Sequence, residues 1–185
     1  MIPWRHRIGC AAIAAGLLFG AAATALAHTM PLSEATLILP KPPTGQFEII
    51  PHETRMGDLD VFGTAFLKKS AINNGVFRFV RCSVYDSETF VFFARVKADD
   101  QRPAQELAVS EYDVKGVDLH TPSNFMVSGR YEAVVEKYGI ADKIQENVVP
   151  GRTLYVYQFP ERASELIFEV TEEGTIYAIR YRTGL

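Results

Sequence analysis

The chain has 185 residues, of which 48% are hydrophobic and 22% are charged. This composition is typical of a globular protein and excludes a disordered or low-complexity chain. The 19 Lys and Arg residues are spread among 22 Asp and Glu residues, without a basic block. Binding to nucleic acid or to an anionic membrane surface needs clustered cations. We therefore expect no nucleic-acid partner and no electrostatic attachment to a membrane.

The first 27 residues have the pattern of a secretory signal peptide. Residues 5–7 are basic, residues 8–26 are apolar, and residues 25–27 read Ala-Leu-Ala, a site that signal peptidase cleaves. Cleavage there would leave His28 at the N-terminus of an exported protein, in the periplasm or outside the cell. A retained membrane anchor is the alternative, because the apolar stretch is long enough to span a bilayer.

The two cysteines give information about anchoring and disulfides. Cys10 precedes the apolar stretch, so it is not placed to receive a lipid, and we expect no stable membrane anchor after cleavage. Cys82 would then be the remaining cysteine, which excludes an intramolecular disulfide. It alternates with valines in a strand-like run, as a small buried apolar residue does.

The first half of the mature chain is predicted to contain an arm and a meander. Residues 28–56 form an extended Pro-rich arm with one short strand at 46–50. Apolar spacing favours a short helix within 57–71. Val- and Phe-rich runs at 76–85 and 89–97 predict a hairpin, and a strand near 106–112 completes a first meander within 57–115.

A helix and three further strands are predicted in residues 116–185. Tyr131, Val134, Val135 and Tyr138 form an apolar stripe at helical spacing. Ser128 is the predicted cap of this helix. Gly139 is its predicted stop, and a connection over 140–152 follows. The strands are expected at 153–159, 165–171 and 175–182.

These elements predict an α+β fold in which a helix packs on a three-stranded antiparallel meander. The supersecondary order of the two halves is similar, so two tandem αβββ repeats, the first of them degenerate, remain an alternative. Alternation along the last three strands places large apolar side chains on one face, which would receive the helix. The opposite face is mixed in character.

That mixed face is the predicted partner-binding surface. It carries Ile167 and Glu169 on one strand and Ala178, Arg180 and Arg182 on the next. A half-apolar face needs a cover, either the rest of the chain or another protein. We predict a protein partner from the cell envelope or the secreted pool, with Ile167, Glu169, Arg180 and Arg182 as contact residues.

Residues 118–183 resemble the module shared by BamE-type outer-membrane assembly proteins and β-lactamase-inhibitor-like proteins. The resemblance rests on Met126-Val127-Ser128-Gly129, on Lys137-Tyr138-Gly139, and on the runs at 154–157, 166–170 and 174–179. It implies a helix followed by an antiparallel meander, a role in protein binding, and no catalytic residues. BamE-type proteins are usually lipoproteins, and this chain departs from them in lacking a lipidation cysteine.

Other chemistry is weakly represented in the sequence. An N-terminal His28 could bind copper through its amino group and imidazole, so a periplasmic copper-binding protein is the alternative function. The acidic pairs Asp58/Asp60 and Glu172/Glu173 have the composition of solvated loops. We find no motif for a hydrolytic nucleophile, a phosphate loop or a zinc site. The sequence therefore predicts a non-enzymatic protein without a cofactor.

Overall fold

The computed structural model describes residues 28–41, 45–63, 67–84 and 89–184. The predicted signal peptide lies outside these residues. The described part contains one α-helix and ten strands. The strands are β1 (Leu37–Lys41), β2 (Gly45–Ile49), β3 (Leu67–Asn73), β4 (Phe77–Val84), β5 (Phe90–Lys97), β6 (Glu111–Val114), β7 (Lys143–Val149), β8 (Arg152–Phe159), β9 (Ser164–Thr171) and β10 (Ile176–Thr183). The helix is α1 (Glu132–Tyr138).

The fold is mostly β and is built on one eight-stranded antiparallel sheet. Its strand order is β3-β4-β5-β6-β10-β9-β8-β7, and β1 and β2 form a separate hairpin. The predicted α+β class, with a helix on a three-stranded meander, is therefore wrong, and so is the tandem αβββ alternative. The reason is that β6 pairs with both β5 and β10. This pairing joins the two predicted meanders into a single sheet.

The β4–β5 hairpin confirms the prediction from alternation. Cys82 lies opposite Phe92, and Val80 lies opposite Ala94. All four side chains are buried on the same face of the sheet, which we call the core face. Successive strand residues point to opposite faces, so the intervening residues of β4 and β5 lie on the other side, which we call the outer face.

Helix α1 lies where the apolar stripe predicts a helix. Gly139 ends it with φ 86°, a conformation that glycine adopts without a Cβ clash. The predicted Ser128 cap is wrong, because Tyr131 occupies the N-cap position and makes no side-chain cap. The Tyr131 ring stacks on Tyr155 with centroids 4.0 Å apart, and its hydroxyl lies 3.0 Å from that of Tyr157.

The segment predicted as an extended arm packs against the core face. A short 3-10 helix (Leu32–Ala35) leads into the β1–β2 hairpin. Leu37 and Ile49 of the hairpin are fully buried in the main core. The Tyr112 hydroxyl on β6 donates a hydrogen bond of 2.9 Å to the Ala35 carbonyl, which fixes this layer to the centre of the sheet.

The predicted helix within 57–71 is wrong. A 3-10 helix covers Asp58–Phe62, and residues 67–73 form the edge strand β3. Leu59 and Phe62 are buried as expected for core residues, yet one 3-10 turn suffices to place both. The predicted connection at 140–152 likewise contains β7, which forms the opposite edge of the sheet.

Candidate functional site

The four predicted contact residues lie together on the outer face. Arg180 on β10 is paired with Ile167 on β9. Glu169 lies two residues further along β9, and Arg182 lies two residues further along β10. Because the strands are antiparallel, Glu169 and Arg182 lie on opposite sides of the Arg180–Ile167 pair. Ile167 is 2% exposed and Glu169 is 0% exposed. The Arg180 side chain is mostly buried, whereas Arg182 is exposed. Of the predicted set, Arg182 therefore offers the most surface to a partner.

Glu169 is the centre of an ion-pair network on the outer face. One carboxylate oxygen accepts a 2.5 Å hydrogen bond from Arg152, and the other accepts one from Arg180. The Arg180 guanidinium also forms an ion pair with Asp113 on β6 at 3.0 Å. A buried carboxylate is stable when both oxygens are paired with charged donors. The network therefore ties four strands, β8, β9, β10 and β6, together across the face.

Arg152 is further held by an aromatic ring. Its guanidinium carbon lies 3.3 Å from the centroid of the Tyr177 ring, a cation–π geometry. The hydrogen bond to Glu169 raises the pKa of Arg152 above its ordinary value. Beside the network, Leu154, Val156 and Ile167 form a small buried apolar cluster separate from the main core. Charge pairing and apolar contact thus hold this part of the outer face together, while Asp113 Oδ1 and Arg180 Nε are buried without a hydrogen-bond partner among the described residues.

The neighbouring part of the outer face is aromatic and basic. The β4–β5 register places Phe77 opposite Lys97, Phe79 opposite Arg95, and Arg81 opposite Phe93. We call these six residues the aromatic–basic patch. Phe77 is 39% exposed, and the Arg95 guanidinium lies 5.4 Å from its ring centroid. Ile72 on β3, opposite Phe79, extends the patch with a 69% exposed apolar side chain.

Charge in the patch is mainly positive. Glu111 on β6 is an acidic residue beside the patch, and its carboxylate lies 3.8 Å from Arg95. Burial raises the pKa of Glu111, while Arg95 and Arg182 act in the opposite direction. The sequence analysis does not identify the patch. The alternation of Phe77, Phe79 and Arg81 is its signal, but on its own this alternation predicts only a strand of a hairpin.

A serine, a lysine and a buried glutamate also come together. The Lys137 ammonium donates to Ser123 Oγ at 2.6 Å, and Ser123 donates to Glu34 Oε1 at 2.7 Å. The Tyr138 hydroxyl donates to the same glutamate oxygen at 2.9 Å. No local motif indicates this cluster, because its members lie far apart in sequence. Its chain of donors runs from the cation to the carboxylate, so it stabilises buried Glu34 rather than activating Ser123 as a nucleophile.

The candidate copper ligand His28 is surrounded by protein groups. The His28 ring packs edge-on against Tyr157 and Phe159. Its Nδ1 accepts a hydrogen bond from the Met30 amide, and its Nε2 lies 3.0 Å from an Asp142 oxygen. Both ring nitrogens of the candidate copper ligand thus have protein partners. Among the described residues, no group of three or more His, Cys, Asp or Glu side chains could hold a metal ion.

Cys82 is buried beneath the sheet, as its alternation with valines indicates. Burial raises the pKa of its thiol, which lowers the fraction of reactive thiolate at neutral pH.

The two acidic pairs of the sequence lie in different connections of the fold. Asp58 caps a local turn by accepting from the Arg55 amide, and Glu172 and Glu173 lie in the exposed β9–β10 connection.

Comparison with known proteins gives little guidance to function. No protein-family model matches the chain, and no curated protein matches it. One solved structure is similar, that of YjgB, a DUF4309 family protein from Bacillus subtilis. It is 13% identical with a TM-score of 0.39, and the match covers 78% of this chain and 86% of that chain. No helix in the described ranges is long and apolar enough to cross a membrane.

Proposed function

We propose that this chain is an exported, non-catalytic protein that binds an acidic surface of another protein through the outer face of its sheet. The observation that carries the proposal is the aromatic–basic patch. Aromatic side chains and arginine supply most of the binding energy in protein interfaces, and Phe77, Phe79, Arg81 and Arg95 bring both types to one sheet face.

The ion-pair network supports this role from the neighbouring strands. It links β8, β9, β10 and β6, and β6 pairs directly with β5, which carries half of the patch. Strands that are already held in place lose less conformational entropy when a partner docks beside them. Charge supports the choice of partner. The patch is cationic, although a chain beginning at His28 would carry 17 Lys and Arg against 22 Asp and Glu, since Arg5 and Arg7 precede it. Complementary potentials increase association rates.

Binding is tested with Arg182→Glu and a matched control. Arg182 is exposed on the outer face, and Arg55 is exposed in the layer that covers the core face. Envelope and secreted proteins captured by the wild-type protein would be identified, and the affinity of each purified candidate measured. We expect Arg182→Glu and Phe77→Ser to weaken binding at least tenfold, and Arg55→Glu to leave it unchanged. Equal affinities for all four proteins would refute the assignment of this face.

Export is proposed from residues 1–27 and is tested separately. Intact-mass measurement of the protein recovered from its native compartment should show a chain beginning at His28. The stability of such a chain is supported by His28 itself, since its ring packs on two aromatic side chains. Recovery of a species that retains Met1 in the membrane fraction would contradict export by cleavage.

A further inference from the structure

A cavity lies on the side of the molecule opposite the outer face. It is bounded by the 3-10 helix at Leu32–Ala35, by residues 50–53 after β2, and by the turn at Pro160–Arg162. Its volume is about 520 Å³, within the range of small-molecule sites. The function proposed above does not use this cavity.

The walls of the cavity combine apolar surface with hydrogen-bond donors. Leu32, Ala35 and Ile50 form apolar walls, and the hydroxyl-bearing residues Ser33 and Thr36 also line the space. Sites for small organic ligands share this combination of apolar walls and few polar groups. The composition of the walls therefore suits a ligand with a compact apolar body and one polar end.

His52 lines the cavity and has an uncommon backbone conformation. Its φ is 69°, in the left-handed region that few non-glycine residues adopt. Its amide donates a 2.7 Å hydrogen bond to the Val109 carbonyl, and its ring lies edge-on to Tyr181 with centroids 6.3 Å apart. Such conformations cluster at ligand sites, where the surrounding structure holds them in place.

The turn that carries His52 is fixed by its own hydrogen bonds. Thr54 Oγ1 accepts from the Ile50 amide at 2.8 Å and donates to the Glu48 carbonyl at 3.2 Å. The Glu53 amide donates to the Ile50 carbonyl at 3.1 Å. The imidazole is thus presented by a pre-organised loop, which reduces the entropy lost when a ligand binds.

The cation at the cavity is Arg162. Within the described residues, neither a hydrogen bond nor an ion pair holds its guanidinium, whereas its charge acts on both His52 and Tyr181. Guanidinium groups bind carboxylates with two parallel hydrogen bonds. Glu53 also lines the cavity, and its negative charge disfavours ligands with more than one negative charge.

We propose that this cavity binds a small organic monoanion, a carboxylate joined to a compact apolar group. Arg162 and the His52 imidazole receive the carboxylate, and the apolar walls formed by Leu32, Ala35 and Ile50 cover the remainder. The site is independent of the protein-binding face, so either proposal can fail without the other.

The test uses 2-naphthoate as the probe and two reference compounds. Naphthalene-2-carboxamide has the same apolar group without charge, and inorganic phosphate has charge without an apolar group. Calorimetry and the NMR signals of the His52 ring report binding to the purified protein. We expect saturable binding of 2-naphthoate with a Kd on the order of 1 mM or lower, with shifts at His52, and at least tenfold weaker binding of both reference compounds.

Two variants identify the groups responsible. Arg162→Gln removes the charge from an exposed side chain, so the fold should be retained. His52→Asn removes the imidazole but keeps a residue type that tolerates the left-handed backbone. Each should weaken 2-naphthoate binding about tenfold, and the matched control Arg182→Gln should not. Absence of saturable binding, or equal affinities for the wild type and both cavity variants, would overturn the proposal.

Discussion

The two faces of the sheet are stabilised by different physical means. The core face is covered by the β1–β2 hairpin and by α1, and its side chains, such as Tyr157 and Phe168, are aromatic and buried. On the outer face, Glu169 is as deeply buried as these rings, but it is held there by Arg152 and Arg180. Burial alone therefore does not identify the hydrophobic side of this sheet. The difference between apolar burial and charge pairing can be tested by mutation.

The largest effect is expected at Val134 on the core face. Val134 is a residue of α1 and is fully buried in the core, so Val134→Asp would place an unpaired charge there and cost about 4 kcal/mol of unfolding free energy. Val135 follows it directly and is only partly buried, so Val135→Asp should cost about 1 kcal/mol. Urea denaturation of both variants measures the contrast, and equal losses would contradict the packing of α1 on the sheet.

Glu169→Ala should have the second largest effect. Removing this carboxylate leaves Arg180 mostly buried with Asp113 as its remaining partner, and the expected cost is about 3 kcal/mol. Glu165→Ala on the same strand removes a pair with exposed Lys143 and a neutral hydrogen bond from Gln158, so it should cost about 1 kcal/mol. Urea denaturation at low and high salt measures both. A loss for Glu169→Ala no larger than that for Glu165→Ala would show that the network does not stabilise the outer face.

A smaller effect is expected from acidification through His52. Burial lowers the pKa of His52, and the charges of Arg162 and Arg95 lower it further. The unfolded chain, with a His pKa of about 6.5, then binds more protons than the folded protein, so this contribution to stability is lost as pH falls below that value. His52→Asn should reduce the loss of Tm between pH 7 and pH 5. An unchanged loss would assign the acid sensitivity to other groups.

The smallest effect on stability is expected for Arg182→Glu, the variant proposed above to weaken partner binding at least tenfold. Arg182 is exposed at the outer face, and surface substitutions usually change stability by no more than about 0.5 kcal/mol. Thermal melting should therefore match that of the wild type. A large drop in Tm would mean that the side chain has a structural role, and the binding result would then need a second variant, Lys97→Glu.

Local sequence patterns predicted the strands and the helix in which the apolar face differs in composition from the opposite face. Alternation located β4, β5, β8, β9 and β10, and the apolar stripe with Gly139 located α1. By contrast, β7 has mostly exposed side chains on both faces, so its sequence carries no alternation for pattern analysis to detect. The pairing of β6 with β10 is non-local, and nothing in either strand alone specifies it.

The candidate sites were predictable only in part. Period-2 alternation correctly placed Ile167, Glu169, Arg180 and Arg182 on one face, because strand geometry determines that property. Their burial was not predictable, since it depends on neighbours from β6 and β8. The cavity around His52 combines residues from three distant segments, and the left-handed backbone at His52 leaves no signal in composition.

The junction between β6 and β10 has a consequence for the folding rate. Three residue pairs join these strands, among them Tyr112 with Tyr181, and they connect segments that are far apart along the chain. Closing such a long loop carries an entropy cost before any contact forms, and non-local pairing slows folding. We expect the hairpins on either side to form early and the junction to form last. Tyr112→Leu, which removes the ring that stacks on Tyr181 across the junction, should then leave the refolding rate unchanged and accelerate unfolding in stopped-flow chevron measurements.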